Sequence, residues 1–251
     1  MDKGELLTCL NWPRELNSLK MIANKYRKLR RAIRSLFARD HWYNAEIDVL
    51  AERHGGSCAW WVAPRSINAN SIVYSFGIGE EISFELSLVK EFGVEVFAYD
   101  PTPRSIAWVK EQGAPRGLHV YPVGLSNYDG VALFYPPHNE KNVSHSLLPD
   151  AHKKAAAIEV SVKSLRSLML VNGHRHIDVL KMDIEGSEYD VIDYLVKEAI
   201  YPAQLLIEFH HRFPSVGVKR TRDAVEKLKS AGYQIFYVSE NGEEFSLMLV
   251  D

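Results

Sequence analysis

The sequence has only two cysteines among its 251 residues, Cys9 and Cys58, and neither lies in a Cys-x-x-Cys pair or a histidine-rich stretch. A disulfide framework or a structural zinc site needs several such residues at close spacing, so the sequence excludes both. It also lacks an apolar run approaching the roughly 18 residues of a membrane span, and its start lacks the basic and apolar regions of a signal peptide. We therefore expect a cytoplasmic protein.

The composition, with 46% hydrophobic and 25% charged residues, is that of an ordinary globular protein and excludes collagen-like, coiled-coil and disordered chains. The net charge of −2 conceals a basic stretch, because residues 20–39 hold eight Lys or Arg and no acid. Apolar residues at helical spacing there predict an amphipathic helix. We favour a helix whose apolar side packs on the protein and whose charges are solvated. The alternative is electrostatic contact with phosphate, nucleic acid or an anionic membrane.

The hydrophobic pattern divides the chain into two parts. Residues 1–67 are predicted to form a helical N-terminal extension. In residues 68–251, short apolar runs alternate with helical segments, which is typical of a mostly parallel sheet covered by helices. The runs that we assign to strands are 71–76, 94–99, 118–123, 158–162, 177–182, 203–209, 233–238 and 245–250.

Two features follow the first two strands, where ligands of parallel α/β sheets bind. Gly77 and Gly79 come after the first strand, and their missing side chains let a ligand approach the backbone and the N-terminus of the next helix. Asp100 ends the second strand, where an acid can accept hydrogen bonds from a ribose diol. The alternative is that Asp100 only initiates a turn with Pro101.

Acidic and imidazole side chains end two later strands. Asp183 and Glu185 follow a buried strand, and Asp183 could be a base, a metal ligand or a helix cap. Glu208 and His210 alternate with Phe209, so they project to the same side of their strand end. We predict acid–base chemistry for Asp183, Glu208 and His210 and assign no metal site. The alternative is a divalent metal held by the same three side chains.

A segment rich in Pro, Asn, Ser and His, residues 136–151, shows no hydrophobic period. Loops of this length within a compact domain are usually functional or disordered. We predict that this segment shapes the substrate pocket, with substrate contacts from His138, His145 and Ser146. His211, beside the acid–base residues, is predicted to contact the substrate as well.

Three strings occur along the chain in a characteristic order: SIVYSFGIGEEISF at 71–84, FAYDPTPRS at 97–105 and LKMDIEGSE at 180–188. With this order and spacing, residues 70–250 resemble the FkbM family of S-adenosylmethionine-dependent methyltransferases. The segment 205–210 falls where that family has its next strand. The resemblance implies a class I methyltransferase fold, an α/β, Rossmann-like, seven-stranded and mostly parallel sheet with the last strand antiparallel and helices on both faces.

The resemblance also implies which residues contact the cofactor, S-adenosyl-L-methionine. The glycine turn lies against the methionine part, and the acid that ends the second strand binds the ribose. The acid that the family commonly has two residues ahead of the first glycine is here Ser75. The implied cofactor residues are Ser75, Phe76, Gly77, Gly79, Asp100, Pro101 and Asp183.

The resemblance implies a methyltransferase that transfers a methyl group to a hydroxyl of a small-molecule or carbohydrate acceptor, with no nucleic-acid partner expected. A hydroxyl needs a base to take its proton as the new bond forms. One alternative is a nicotinamide-dependent oxidoreductase, although Ile82 stands at the third glycine of that fingerprint. The other is a non-catalytic binding protein on the same fold, with the stretch 20–39 as its contact.

Overall fold

The structure, a computed structural model, describes residues 29–35, 40–56, 58–136 and 157–250. The helices are α1 (29–35), a short 3₁₀ helix (Pro64–Ser66), α2 (Ser83–Phe92), α3 (Pro103–Gln112), α4 (Leu165–Asn172), α5 (Glu188–Lys197) and α6 (Val218–Ser230). The strands are β1 (Glu52–His54), β2 (Trp60–Val62), β3 (Ile72–Phe76), β4 (Glu95–Tyr99), β5 (Leu118–Tyr121), β6 (Gly124–Leu125), β7 (Gly130–Phe134), β8 (Ile158–Lys163), β9 (Val179–Met182), β10 (Gln204–Glu208), β11 (Tyr233–Val238) and β12 (Glu244–Leu249).

The central sheet has seven strands in the order β11-β12-β10-β9-β3-β4-β5. Strand β12 is inserted between β10 and β11 and runs antiparallel to both, while the remaining neighbours pair in parallel. This arrangement confirms the predicted mostly parallel sheet with its last strand antiparallel. It places the carboxyl ends of β3, β4, β9 and β10 along one edge of the sheet, where ligands bind in open α/β folds.

Both faces of the sheet are covered, which is why its inner strands are almost entirely apolar. Along β3, Tyr74 faces a core built with α4, α5 and α6, while Val73 faces a second core that includes side chains of α2 and α3. Because successive side chains of a strand point to opposite faces, the two cores share each strand. The functional edge therefore rests on a rigid scaffold.

The strand predicted at 158–162 forms as β8, but it lies outside the central sheet. It pairs in parallel with β6 and antiparallel with β7 in a separate three-stranded sheet. The sequence shows why: the pattern is apolar on one side only, with Val160 and Val162 buried and Glu159 and Ser161 exposed. Such alternation is typical of a half-exposed antiparallel strand rather than of a strand buried on both faces.

The helical prediction for residues 1–67 is wrong for residues 40–67. This part contains the antiparallel pair β1–β2 and one short 3₁₀ helix. Gly55 allows the turn between the strands, with φ of +99°, and Trp60 and Val62 pack into the second core. Gln204 of β10 accepts a hydrogen bond from the Ala63 N–H and donates one to its carbonyl. Residues 52–63 are thus built into the domain that we predicted to begin at 68.

The described part of the predicted basic helix, 29–35, is helical but oriented differently from our expectation. Leu29 and Ile33 are 59% and 48% exposed, whereas Arg31 is buried. The guanidinium of Arg31 donates to the carbonyls of His41 and Ser239, and these bonds outweigh the burial of an apolar stripe. The other residues of the basic stretch, 20–28 and 36–39, lie outside the described residues.

No described helix has the length and hydropathy to cross a bilayer.

Candidate active site

A cleft of about 410 Å³ opens at the carboxyl ends of β3, β4 and β9. It is lined by the glycine turn after β3, by Asp100 and Pro101 after β4, and by Asp183 after β9. Phe76 also lines the cleft, so the structure brings together six of the seven predicted cofactor residues. The cleft is therefore at the place where the topology of the sheet predicts a ligand.

The glycine turn is shaped by a close approach between two strand ends. Gly77 and Gly79 have φ of +76° and +55°, a conformation that favours glycine. A Cβ on Gly77 would lie 1.7 Å from the carbonyl oxygen of Asp183. The Asp183 N–H in turn donates to the Phe76 carbonyl at 3.1 Å. Only glycine fits at residue 77, so the cleft has an open backbone wall on this side.

Asp100 fixes the turn from the neighbouring strand. Its Oδ2 accepts a hydrogen bond from the Gly79 N–H at 2.9 Å, and its Oδ1 accepts one from the Thr102 N–H at 2.8 Å. Asp100 therefore does initiate a turn with Pro101, as the alternative interpretation proposed, because the hydrogen bond from the Thr102 N–H closes that turn. Each carboxylate oxygen still has a free lone pair for a ligand hydroxyl.

The second half of the site is a histidine surrounded by carboxylates. His210 Nδ1 lies 2.9 Å from Glu188 Oε1, while its Nε2 lies 3.4 Å from Glu185 Oε2 and 3.9 Å from Asp183 Oδ1. Glu185 has φ of +52°, which is uncommon for a residue other than glycine. Glu208 lies beside Asp183, because their strands are in register at Ile207 and Met182. The three predicted acid–base residues therefore cluster.

Glu188 organises the turn that carries Asp183. One of its oxygens accepts hydrogen bonds from the N–H groups of Ile184 and Gly186, both at 3.1 Å. Helix α5 begins only at Glu188, with Ser187 as its N-cap. The alternative that Asp183 is a helix cap is therefore wrong, because Glu188 takes the amides of the turn and leaves the Asp183 carboxylate facing the cleft.

The surroundings of this cluster raise the pKa values of two of its members, Glu208 and His210. Burial raises the pKa of Glu208 to about 9, and the nearby Asp183 carboxylate adds to the effect. Burial alone would lower the pKa of His210, but the charge and hydrogen bond of Glu188, with Glu185 and Asp183, raise it well above its usual value. Both shifts favour the protonated forms, which are the neutral acid for Glu208 and the imidazolium for His210.

Two groups of described side chains have donor atoms close enough for a metal ion. Asp183, Glu185 and His210 each offer one donor atom, and these atoms lie within 4.8 Å of one another. Asp40, His41 and His211 meet the same criterion. The second group suits a cation poorly, because Arg212 already binds the Asp40 carboxylate at 3.0 Å. The first group keeps the metal alternative open with one change of residue, because Glu185 stands in this group where the sequence predicts Glu208.

Several predicted site residues fall elsewhere. Ser75 is buried beneath the cleft rather than in its wall, and its hydroxyl donates to Glu85 at 2.5 Å. His211 is corrected as a substrate contact: it is buried, and its Nε2 lies 3.1 Å from Asp40. Adjacent side chains project differently, so His211 turns away from the cluster that holds His210. His138, His145 and Ser146 lie outside the described residues.

The cleft residues that were missed from the sequence include Trp60, Glu85 and Lys181. Lys181 did carry a signal, as the single charge within a strand buried on both faces. Glu85 lies in the first turn of α2, where an acid is usually an exposed partner of the helix dipole, but here it is 1% exposed. Trp60 was hidden by the helical prediction for its segment.

A family model, the methyltransferase FkbM domain, matches residues 45–235. Its match begins before the boundary that we predicted at residue 68, in agreement with the packing of β1 and β2 on the sheet. This boundary corrects the resemblance, which we had placed at residues 70–250. Because the hairpin contributes Trp60 to the cleft, the earlier start has a direct structural reason.

Among curated proteins, the chain is similar to the probable methyltransferase-like protein 24 of Homo sapiens, 26% identical over 163 residues, covering 63% of this chain and 37% of that protein. The Rattus norvegicus protein of that name is 27% identical over 158 residues, covering 61% and 36%. The chain thus spans little more than a third of these relatives. The methyltransferase FkbM structure from Methylobacillus flagellatus aligns with a TM-score of 0.46 and 11% identity, covering 72% of this chain and 44% of that one. Because the family match covers most of its length, the chain belongs to the FkbM methyltransferase-domain family.

Proposed function

We propose that this chain catalyses S-adenosylmethionine-dependent methylation of a hydroxyl group on a sugar or another small molecule. The observation that carries the proposal is the position of Asp183. Its carboxylate lines the same cleft as the glycine turn and lies 3.9 Å from the imidazole of His210. A group that can take a proton is therefore next to the place where the family binds its methyl donor.

The cleft residues fit this cofactor. S-adenosylmethionine, when bound, supplies an electrophilic methyl group on a sulfonium. Gly77 leaves this wall of the cleft without a side chain, and the Asp183 carbonyl occupies the space that a Cβ would take. Asp100 can accept hydrogen bonds from a ribose diol with the lone pairs that Gly79 and Thr102 leave free. The apolar wall includes Phe76, against which an uncharged part of the ligand can pack.

By elimination among the three residues predicted for acid–base chemistry, we assign proton transfer to Asp183. Methyl transfer to a hydroxyl needs an acceptor for the hydroxyl proton. The pKa of Glu208, raised to about 9, favours its protonated form, and the raised pKa of His210 favours the imidazolium, so neither is suited to accept a proton. Asp183 then takes the proton, while Glu188 orients His210 and His210 compensates the negative charge of the cluster. Placement of the acceptor follows from this, since its hydroxyl must lie against Asp183.

Ligand binding tests the cofactor assignment. We expect S-adenosylhomocysteine to raise the melting temperature and NADH to leave it unchanged. Asp100→Ala should weaken binding of S-adenosylmethionine by about 1.5–3 kcal/mol, the usual contribution of hydrogen bonds to a charged acceptor, measured by calorimetric titration. Asp193→Ala, an exposed carboxylate on α5, is the matched control and should bind normally.

Two results would contradict this assignment. Unchanged affinity of Asp100→Ala would remove Asp100 from the ribose site. Stabilisation by NADH without any effect of S-adenosylhomocysteine would favour the oxidoreductase alternative instead. Methylation assays with a panel of sugars and small hydroxylated compounds then test the acceptor class.

A further inference from the structure

Two opposite charges are buried directly beneath the glycine turn. Glu85, from the first turn of α2, and Lys181, from β9, are 1% and 4% exposed, and both line the cleft. Ser75 of β3 lies between them, since it is in register with Lys181 and its hydroxyl donates to Glu85 Oε1 at 2.5 Å. None of these three residues has a role in the acid–base cluster described above.

The Glu85 carboxyl group is incompletely satisfied. Its Oε2 is buried and has no hydrogen-bond partner among the described residues. Burial raises the pKa of Glu85, although the nearby charge of Lys181 opposes that effect. A buried polar atom without a partner destabilises a fold, and native structures leave few of them. An unpaired carboxylate oxygen at a ligand cleft is therefore suited to a cationic ligand group.

The ammonium group of Lys181 is also held in place, but no described acidic side chain forms an ion pair with it. Its Nζ donates to the Gly77 carbonyl at 2.7 Å and lies 5.6 Å from the centre of the Trp60 ring. Of its three N–H donors, only this one is used by a described residue. Among the described residues, neither Lys181 nor Glu85 forms an ion pair, although each influences the other electrostatically. Among the charged groups of the cleft, Glu85 and Lys181 are thus a buried carboxyl group and a buried ammonium group that do not form an ion pair with each other.

We propose that Glu85 and Lys181 bind the zwitterionic amino-acid end of the methyl donor, with Glu85 taking the ammonium group and Lys181 the carboxylate. The inference rests on the proposed function and deepens it. Glu85 stands in, from the helix, for the acid that is absent at Ser75 on the strand. Ser75 positions the Glu85 carboxyl, and the Gly77 carbonyl positions the Lys181 ammonium.

The charges explain selectivity as well as affinity. A ligand with one ammonium and one carboxylate pairs both buried charges at once, so neither remains unpaired in the complex. A ligand with only one of them leaves the other residue buried without a partner. A dinucleotide, which carries a pyrophosphate and no ammonium at this position, would place negative charge near Glu85.

Ligand analogues test the proposal without an activity measurement. In calorimetric titrations, the unaltered protein should bind S-adenosylhomocysteine about 10- to 100-fold more tightly than its desamino analogue, as expected for a lost charge-assisted hydrogen bond. Glu85→Gln should lose affinity for S-adenosylhomocysteine by a similar factor and bind the two ligands equally. Lys181→Met should likewise lose discrimination against the decarboxylated analogue, while keeping discrimination against the desamino one.

Glu91→Gln is the matched control, because Glu91 lies on the same helix α2 but is exposed and outside the cleft, and this variant should keep both discriminations. Thermal unfolding checks that each variant folds. If the unaltered protein binds the desamino analogue as tightly as S-adenosylhomocysteine, or if Glu85→Gln still discriminates, the inference is wrong while the proposed function stands. If the unaltered protein binds no S-adenosylhomocysteine, both the proposed function and this inference are wrong.

Discussion

Two carboxyl groups, the buried Asp40 and the partly buried Glu208, have opposite surroundings. Asp40 accepts hydrogen bonds from the His41 N–H and the His211 ring on one oxygen and from Arg212 on the other. Burial alone would raise its pKa, but these bonds hold the pKa well below the usual range. Glu208 has no hydrogen bond to a described residue, and burial with the Asp183 charge raises its pKa to about 9.

This difference indicates that Asp40 has a structural role, whereas the carboxyl groups at the cleft can still bind a ligand. At Asp40 the positive partners come from the β10–α6 connection, so the cluster ties the N-terminal segment to the C-terminal part of the domain. At the cleft, carboxyl groups outnumber their positive partners, and Glu85 and Glu208 are left incompletely paired. A carboxylate that is hydrogen-bonded on both oxygens inside the protein, as Asp40 is, holds the fold together, whereas an incompletely paired carboxyl group at a cleft can bind a ligand group or a proton.

The largest expected effect is on catalysis at Asp183. Asp183→Asn keeps the shape of the side chain but removes its basicity, so we expect the methylation rate to fall by about 10²–10⁴. Affinity for S-adenosylhomocysteine should change little, because the change leaves Asp100 and the glycine turn intact. Rates under saturating cofactor, with calorimetry for binding, measure both quantities.

Metal dependence distinguishes the alternative for the same cluster. If Asp183→Asn, Glu185→Gln and His210→Ala all lose activity and added Mg²⁺ or Mn²⁺ restores part of it, a metal site is the better account. A full rate for Asp183→Asn without metal dependence would remove Asp183 from the mechanism. The cluster around Asp183 would then no longer differ from the Asp40 cluster by taking part in the reaction.

Most of the central sheet could be predicted from the sequence because its strands are buried on both faces. Runs such as 71–76 and 177–182 are apolar throughout, and helical segments between them imply parallel connections. The hairpin of β1 and β2 could not be recognised in this way, because three-residue strands give no measurable period. The orientation of residues 29–35 depends on tertiary bonds of Arg31, which no local pattern contains.

The candidate site was predictable where its residues end strands and not where they come from helices. Asp100 and Asp183 follow apolar runs, so their meeting at one sheet edge follows from topology alone. Glu188 and Glu85 reach the site from α5 and α2, and their burial depends on how those helices pack. The protonation of Glu208 and His210 depends on distances between charges, which only the folded arrangement gives.

The next effect compares the two carboxyl groups directly. Asp40→Asn should lower the free energy of unfolding by about 2–4 kcal/mol at pH 7, because it leaves Arg212 and its neighbours buried without their counter-charge. Glu208→Gln should change stability far less, since Glu208 is already uncharged at that pH. Urea unfolding of both variants measures the difference. Equal losses would show that the two sites do not differ in the way that their surroundings indicate.

A smaller effect concerns His41, which shares the Asp40 cluster. Burial, and then the charges of His211 and Arg31, lower its pKa to about 3. The unfolded chain therefore binds a proton at His41 near pH 6.5 that the folded protein does not, so stability falls as the pH falls below 6.5. Between pH 6.5 and 5 this contribution amounts to about 2 kcal/mol.

His41→Phe isolates that contribution. Both ring nitrogens of His41 lack partners and the ring packs against Phe245, so phenylalanine removes the titration without removing a hydrogen bond. We expect the acid loss of stability to be about 2 kcal/mol smaller in His41→Phe than in the unaltered protein over this range. Parallel slopes of stability against pH would mean that His41 already carries its proton in the fold.

The smallest effect separates two neighbouring arginines of α1. Arg30 is exposed, so Arg30→Ala should change the free energy of unfolding by no more than about 0.5 kcal/mol. Arg31→Ala should cost about 1–3 kcal/mol, because the carbonyls of His41 and Ser239 lose a buried charged donor. Salt-dependent binding to anionic vesicles, measured for both variants, tests the membrane alternative for the basic stretch. If Arg30→Ala abolishes vesicle binding with no change in stability, the exposed charges of this stretch bind an anionic membrane, whereas the charges around Asp40 stabilise the fold.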